Sequence, residues 1–90
     1  MRHELKTWPA FFCAVLARTK TYEIRKNDRN FQVGDELLLK EWDPQTQRYS
    51  GREISVEVSY MTKGGQWGIP EDICVMGIRI QNWRLGDQER

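Results

Sequence analysis

Apolar and polar residues alternate most strictly between Arg52 and Thr62. There Ile54, Val56, Val58 and Tyr60 fall on one side, and Glu53, Ser55, Glu57 and Ser59 on the other. A period of two marks a half-buried β-strand. Shorter strand patterns cover His3–Lys6, Lys20–Lys26, Glu36–Trp42 with its apolar middle Leu37-Leu38-Leu39, and Ile73–Ile80. One segment breaks the rhythm. Trp8, Phe11, Phe12, Val15 and Leu16 recur at helical spacing, which predicts a helix over about 8–17 that buries those five side chains. Thr7 is the expected N-cap, and Pro9 falls in the first turn, where a missing N–H costs nothing. Turn formers separate the elements at Asn27–Asn30, Gly34-Asp35, Asp43–Gln47 and Gly51. The longest loop, Lys63–Asp72, carries Trp67. One helix among five or six mostly antiparallel strands predicts an α+β, mainly β fold, a small curled sheet or barrel.

Length turns this pattern into a single domain. Ninety residues hold one small core. The domain is expected over 1–84, with a frayed polar tail at 85–90. Trp8, Phe11, Phe12, Phe31, Trp42, Tyr60, Trp67 and Trp83 are the large side chains expected to fill the core. Cys13 and Cys74 are far apart and His3 is the single histidine, so no structural metal or cofactor site is expected. Two lone cysteines suit a reducing cytoplasm. The uncharged run Pro9–Ala17 is not read as a signal peptide, since its removal would delete a strand and the helix. No stretch reaches transmembrane length.

A formal net charge of +1 excludes a general polyanion binder, whose affinity needs many phosphate contacts. The charge is uneven, however. Arg18, Lys20, Arg25, Lys26 and Arg29 outnumber Glu23 and Asp28 in one short segment. Lysine offers a point charge, arginine a planar fork, and glutamate an acceptor for an exocyclic amine. In an ideal strand Glu23 and Arg25 share a face while Lys20 lies opposite, so Lys20 joins them only if the strand starts irregularly. Composition alone favours an ordinary salt-bridged surface. Tyr22 alternates away from Glu23 and is expected in the core. His3 is expected to be exposed, and Asp43, Arg48 and Arg52 to form hairpin surface. The helix face Ala10, Cys13, Ala14 and Ala17 carries no charge, and is either a plain alanine face or the contact of a weak homodimer.

Lys20-Thr21-Tyr22-Glu23-Ile24-Arg25 resembles the signature of ASCH domains, a branch of the PUA-like β-barrels. That signature is a glycine, a lysine two residues on, a glutamate three further and an arginine two beyond. HELK at His3–Lys6, EIRKND at Glu23–Asp28, VGD at Val33–Asp35 and GRE at Gly51–Glu53 are similar to a small bacterial and phage family of unestablished function within that group. The resemblance spans nearly the whole chain and implies a PUA-like (ASCH) barrel with one N-terminal helix. The signature glycine falls at Arg18, and arginine is poorly suited to end a helix as glycine does.

The resemblance also implies a cleft between helix and barrel that holds Lys20, Glu23 and Arg25. From the residues, Lys6 beside the helix start is expected within reach of the same cleft, and Lys26, Asn27, Asp28 and Arg29 are either a solvated, self-bonded turn or a rim that grips a ligand backbone. The first functional expectation is a module binding single-stranded RNA or a nucleotide. The second is a small hydrolase acting on modified nucleosides or RNA, with Lys20 and Glu23 as its catalytic groups. It would need Lys20 to shed a proton that Glu23 should hold in place. The third is a protein-interaction domain built on the uncharged helix face.

Overall fold

Residues 1–85 are described by the structure, a computed structural model of the chain. Its elements are β1 (Arg2–Thr7), α1 (Pro9–Leu16), β2 (Tyr22–Lys26), β3 (Glu36–Asp43), β4 (Arg48–Lys63) and β5 (Ile73–Leu85). The fold is α+β and mainly β. The strands form one sheet in the order β1-β3-β4-β5-β2, with β1 parallel to β3 and the other pairs antiparallel.

This sheet curls into a half-barrel. In a flat sheet, four steps of about 4.8 Å would set β1 and β2 about 19 Å apart. Instead, Arg25 Nη2 donates to the Lys6 carbonyl at 3.0 Å, and Arg29 Nη1 to the Glu4 carbonyl at 2.8 Å. Carbonyls two residues apart point to the same side of a strand. Two guanidiniums therefore stand where a neighbouring strand would pair with β1, and they cover its open edge.

The core inside the curl is mostly aliphatic: Leu5, Val15, Leu37, Leu39, Ile54, Val56 and Val58, with Cys74, Met76, Phe12 and Phe31. This corrects the expectation that large aromatics fill it. Only Phe12 and Phe31 are buried, and Trp42 is half-buried. Trp8, Phe11, Tyr60, Trp67 and Trp83 are exposed. A half-barrel of this size encloses little volume, and branched aliphatics on facing strands already occupy it. Tyr60 has a local cause as well. Val58 pairs with Ile78 but Tyr60 with Gly77, so Ser59 is an extra residue in β4. Such a bulge reverses the alternation beyond it and turns Tyr60 outward.

Strand ends shift for the same pairing reason. β4 and β5 stay paired from Lys63–Cys74 to Arg52–Leu85, so β5 runs past its expected end at Ile80. Leu85, expected in the tail, is the last residue of β5, and 86–90 lie outside the described residues. Among the described residues, no helix is long and apolar enough to cross a membrane.

Two polar residues expected at the surface leave it, His3 for a buried position and Arg52 for a half-buried one. The His3 ring is hydrogen-bonded to Asp35 Oδ2 at 2.9 Å and stands edge-on to Phe31. Parallel pairing of β1 with β3 brings the two together, a contact that local pattern does not encode. Burial pushes the Asp35 carboxyl upward. The His3 bond, the Gln32 N–H and the α-amino group outweigh it, and the carboxyl sits below its ordinary value. Arg52 also leaves the surface expected for it. Between the pairs Lys40–Glu53 and Trp42–Tyr49, β4 carries two residues more than β3. Gly51, at φ 94°, absorbs this bend where an L side chain would be strained. Ser50 and Arg52 then converge on the buried Glu41. Arg52 donates Nε and Nη2 to its two oxygens at 2.8 Å each, and Ser50 Oγ donates at 2.6 Å.

The helix contradicts its expected caps. Thr7 ends β1, buried, and Trp8 holds the N-cap position without a side-chain bond. At the other end, Thr19 N–H bonds the Ala14 carbonyl and Arg18 N–H the Val15 carbonyl, the paired pattern of a Schellman motif. Arg18 is its left-handed residue, at φ 64°. Arginine thus does the job normally given to glycine, at a steric cost of about 1 kcal/mol. Arg18→Gly is therefore expected to stabilise the fold by about 1 kcal/mol, less the guanidinium's bond to the Leu16 carbonyl. Paired urea melts of the two proteins check this, and a lowered midpoint for the glycine variant would contradict it.

Candidate functional site

β2 is built inside out. Its charged Glu23 points inward and is buried, Arg25 is half-buried, and Tyr22 and Ile24 face outward. This overturns the core position expected for Tyr22. The reversal is tolerable because the charges neutralise one another. Lys20 Nζ lies 3.0 Å from Glu23 Oε2 and Arg25 Nε lies 3.0 Å from Glu23 Oε1. A buried carboxylate held on both oxygens by cations escapes most of the penalty of an unpaired charge. β2 begins only at Tyr22, so Lys20 precedes the regular strand and swings to Glu23's side. The irregular start that the spacing required is present.

This triad lies in a cleft of about 380 Å³ in the gap between the two ends of the sheet. β1 supplies Lys6 and Thr7, the helix start supplies Trp8 and Phe11, and the β2 region supplies Lys20 and Tyr22 to Arg25. Trp8 and Phe11 stack at 6.2 Å between ring centroids, 15° from parallel. Lys20 Nζ sits over the Tyr22 ring at 5.0 Å and the Phe11 ring at 5.8 Å. Lys6 covers Trp42 at 4.4 Å. Arg25 Nη2 reaches the Lys6 carbonyl and, at 3.3 Å, Thr7 Oγ1. Both N–H groups on Arg25 Nη1, one on Lys20 Nζ and lone pairs on Glu23 are left for a ligand.

Lys6, Lys20, Glu23 and Arg25 are thus brought together as expected. Lys26, Asn27 and Arg29 do not line the cleft. Asn27 Oδ1 accepts from the Phe31 N–H, Arg29 is bonded to Glu4, and Lys26 is exposed. Sequence reasoning misses the aromatic walls, because apolar character assigns Trp8, Phe11 and Tyr22 to the core. Nothing in the alternation of β2 signals the reversal, since Tyr22 and Ile24 on one face and Glu23 and Arg25 on the other would fit an ordinary half-buried strand. On the helix, Ala10, Cys13 and Ala17 are exposed and Ala14 is half-buried. Cys13 Sγ lies 3.6 Å from Arg52 Nη2. Both cysteines are free, and burial raises the Cys74 thiol above its ordinary value. Among the described residues, no three His, Cys, Asp or Glu side chains are arranged to hold a metal ion.

Three of the four sequence strings turn out to be tied to one another, and the fourth, GRE, is anchored to β3 instead. His3 of HELK meets Asp35 of VGD, and the Lys6 carbonyl of HELK meets Arg25 of EIRKND. Arg52 of GRE reaches Glu41. Residues 2–78 match the family described as Domain of unknown function (DUF3850). The chain is also 35% identical over 65 residues to the "Uncharacterized 12.9 kDa protein in GpA 3'region" of Escherichia phage P2. That alignment takes in 72% of this chain and 58% of the phage protein.

Proposed function

We propose a nucleotide-binding role for this chain, which belongs to the DUF3850 family, and read that family as a branch of the PUA-like ASCH domains. The observation that carries the role is the buried Glu23, paired to Lys20 and Arg25 at the bottom of a cleft walled by exposed aromatics. Apolar walls around a few convergent polar groups are the general form of a small-molecule site. The volume suits one splayed nucleotide rather than a duplex. Trp8, Phe11 and Tyr22 supply π-faces for a base. Glu23 accepts from an exocyclic amine, while Arg25 donates to ring acceptors. Single-stranded RNA or a free nucleotide fits this chemistry. A hydrolytic role is less well supported. Among the described residues, Glu23 is the one carboxylate lining the cleft, and cations hold both its oxygens.

An amide-shift titration of the labelled protein with a short mixed-sequence single-stranded RNA tests this. Shifts are expected at Thr7, Trp8, Phe11 and Lys20 to Arg25, and Glu23→Ala should remove them. The slope of log affinity against log salt should be near −2, as suits about three phosphate contacts. An unshifted spectrum at millimolar RNA and low salt would rule the role out.

A further inference from the structure

A second hollow, of about 280 Å³, adjoins the cleft and shares Lys20 with it. It lies where the helix C-terminus, the approach to β2 and the middle of β5 meet. Arg18, Lys20 and Arg79 line it above an apolar floor of Val15, Ile78 and Ile80. Among the described residues, no carboxylate lines it. The acids that touch its cations come from outside. Glu23 holds Lys20 from the cleft side, and Glu57 reaches Arg79 at 3.8 Å, a loose surface pair. Arg18 pairs with no carboxylate among the described residues. Its Nη1 donates to the Leu16 carbonyl at 2.9 Å, and its guanidinium stands 5.6 Å from the Trp83 ring centroid.

Arg18 is the second observation. Its backbone holds the left-handed conformation that glycine adopts freely and arginine does not. A strained arginine with no carboxylate partner among the described residues, lining a cationic hollow, is placed at a cost to the fold. Such strain commonly marks a site where the side chain has work to do. In a chain of net charge +1, three clustered cations also make a local field that selects anions.

We infer that this hollow is the phosphate subsite of the ligand whose base occupies the aromatic cleft, so that the protein takes a nucleotide or an RNA chain rather than a free nucleoside. The inference rests on the nucleotide-binding reading above. Lys20 is the hinge between the two subsites: it closes the Glu23 pair on one side and presents its ammonium to the phosphate on the other. Arg18 and Arg79 supply the planar forks that match phosphate oxygens.

The test is a set of amide-shift titrations at low salt of the full chain. The probes are the four common ribonucleosides, their 5′-monophosphates, a dinucleotide and inorganic phosphate. The monophosphates are expected to bind about tenfold tighter than the nucleosides, the gain of one good charge-assisted contact. Their added shifts should fall at Arg18–Thr21 and Ile78–Ile80. In the variant Arg18→Gly with Arg79→Gln, the monophosphate-to-nucleoside affinity ratio should fall close to one. Glycine suits the left-handed backbone at this position, so the variant should fold. A dinucleotide binding tighter than the monophosphate supports the subsite with an RNA chain as ligand, and equal binding supports it with a free nucleotide. Nucleosides and monophosphates binding alike would overturn the subsite and leave the base cleft standing. Phosphate shifts in the hollow without nucleoside shifts in the cleft would support the subsite and overturn the base cleft. No shift from monophosphates or phosphate would overturn the inference outright.

Discussion

Phe12→Ala is expected to cost about 4 kcal/mol, a large share of what a 90-residue domain has. Phe12 is fully buried, and it and Val15 are the fully buried side chains of α1, with Leu16 packed partly buried beside them. A helix of eight residues with no side-chain cap does not persist alone, so its stability is tertiary. Truncating Phe12 leaves a cavity and also removes the aromatic face against which Arg52 rests, 5.0 Å away. The loss should reach the cleft, because Trp8 and Phe11 stand on the same helix. Phe11→Ala is the comparison. Phe11 is half-exposed, so that change should cost under about 1 kcal/mol of stability while weakening ligand binding. Urea unfolding followed by circular dichroism separates the two. A Phe12→Ala midpoint within error of the parent protein would show that the helix is not anchored where the packing places it.

Glu41→Ala is expected to cost about 3 kcal/mol. The carboxyl is buried, takes two charge-assisted bonds from Arg52 and one from Ser50, and fills the irregular step between β3 and β4. Removing it leaves the half-buried Arg52 guanidinium with no carboxylate partner among the described residues. The same contacts predict an acid response. The Arg52 bonds, helped by Ser50 and opposed by burial, hold the Glu41 carboxyl below its ordinary value. Asp35 is lowered as well. A carboxylate depressed by folding stabilises the native state fully above its unfolded value. That stabilisation is lost as pH falls through the folded value. Stability should therefore be flat near neutrality and decline below about pH 4. Glu41→Ala should show a shallower decline than the parent in urea melts between about pH 7 and 2.5. An identical decline in both would remove Glu41 from the account.

The contrast between β4 and β2 shows what was legible and what was not. Ile54, Val56 and Val58 alternate with polar neighbours and are fully buried, because the period of a strand is a local property of the chain. Tyr60 continues the same spacing and is exposed, because one extra residue at Ser59 resets the phase, and a bulge depends on the partner strand. In β2 the ordinary rule inverts. Glu23 is buried and Ile24 exposed, since Lys20 and Arg25 neutralise the carboxylate in place. The spacing of Lys20, Glu23 and Arg25 marked the site, but it carried no hint that Trp8, Phe11 and Tyr22 would wall it. Aromatic residues in sequence look alike whether they close a core or line a cleft.

By itself the sequence determined the elements: one short helix among strands, Pro9 at its first turn, and a charged cluster of Lys20, Glu23 and Arg25. These follow from spacing, backbone chemistry and charge within a few residues of one another. Only the tertiary structure decided which large side chains the core admits and that His3 meets Asp35, 32 residues away. It alone decided that Arg52 lies under the helix on Glu41, and that Arg25 and Arg29 bridge the two ends of the curled sheet. Those outcomes depend on strand order, register and the volume the curl encloses, and each is set by residues distant in the chain.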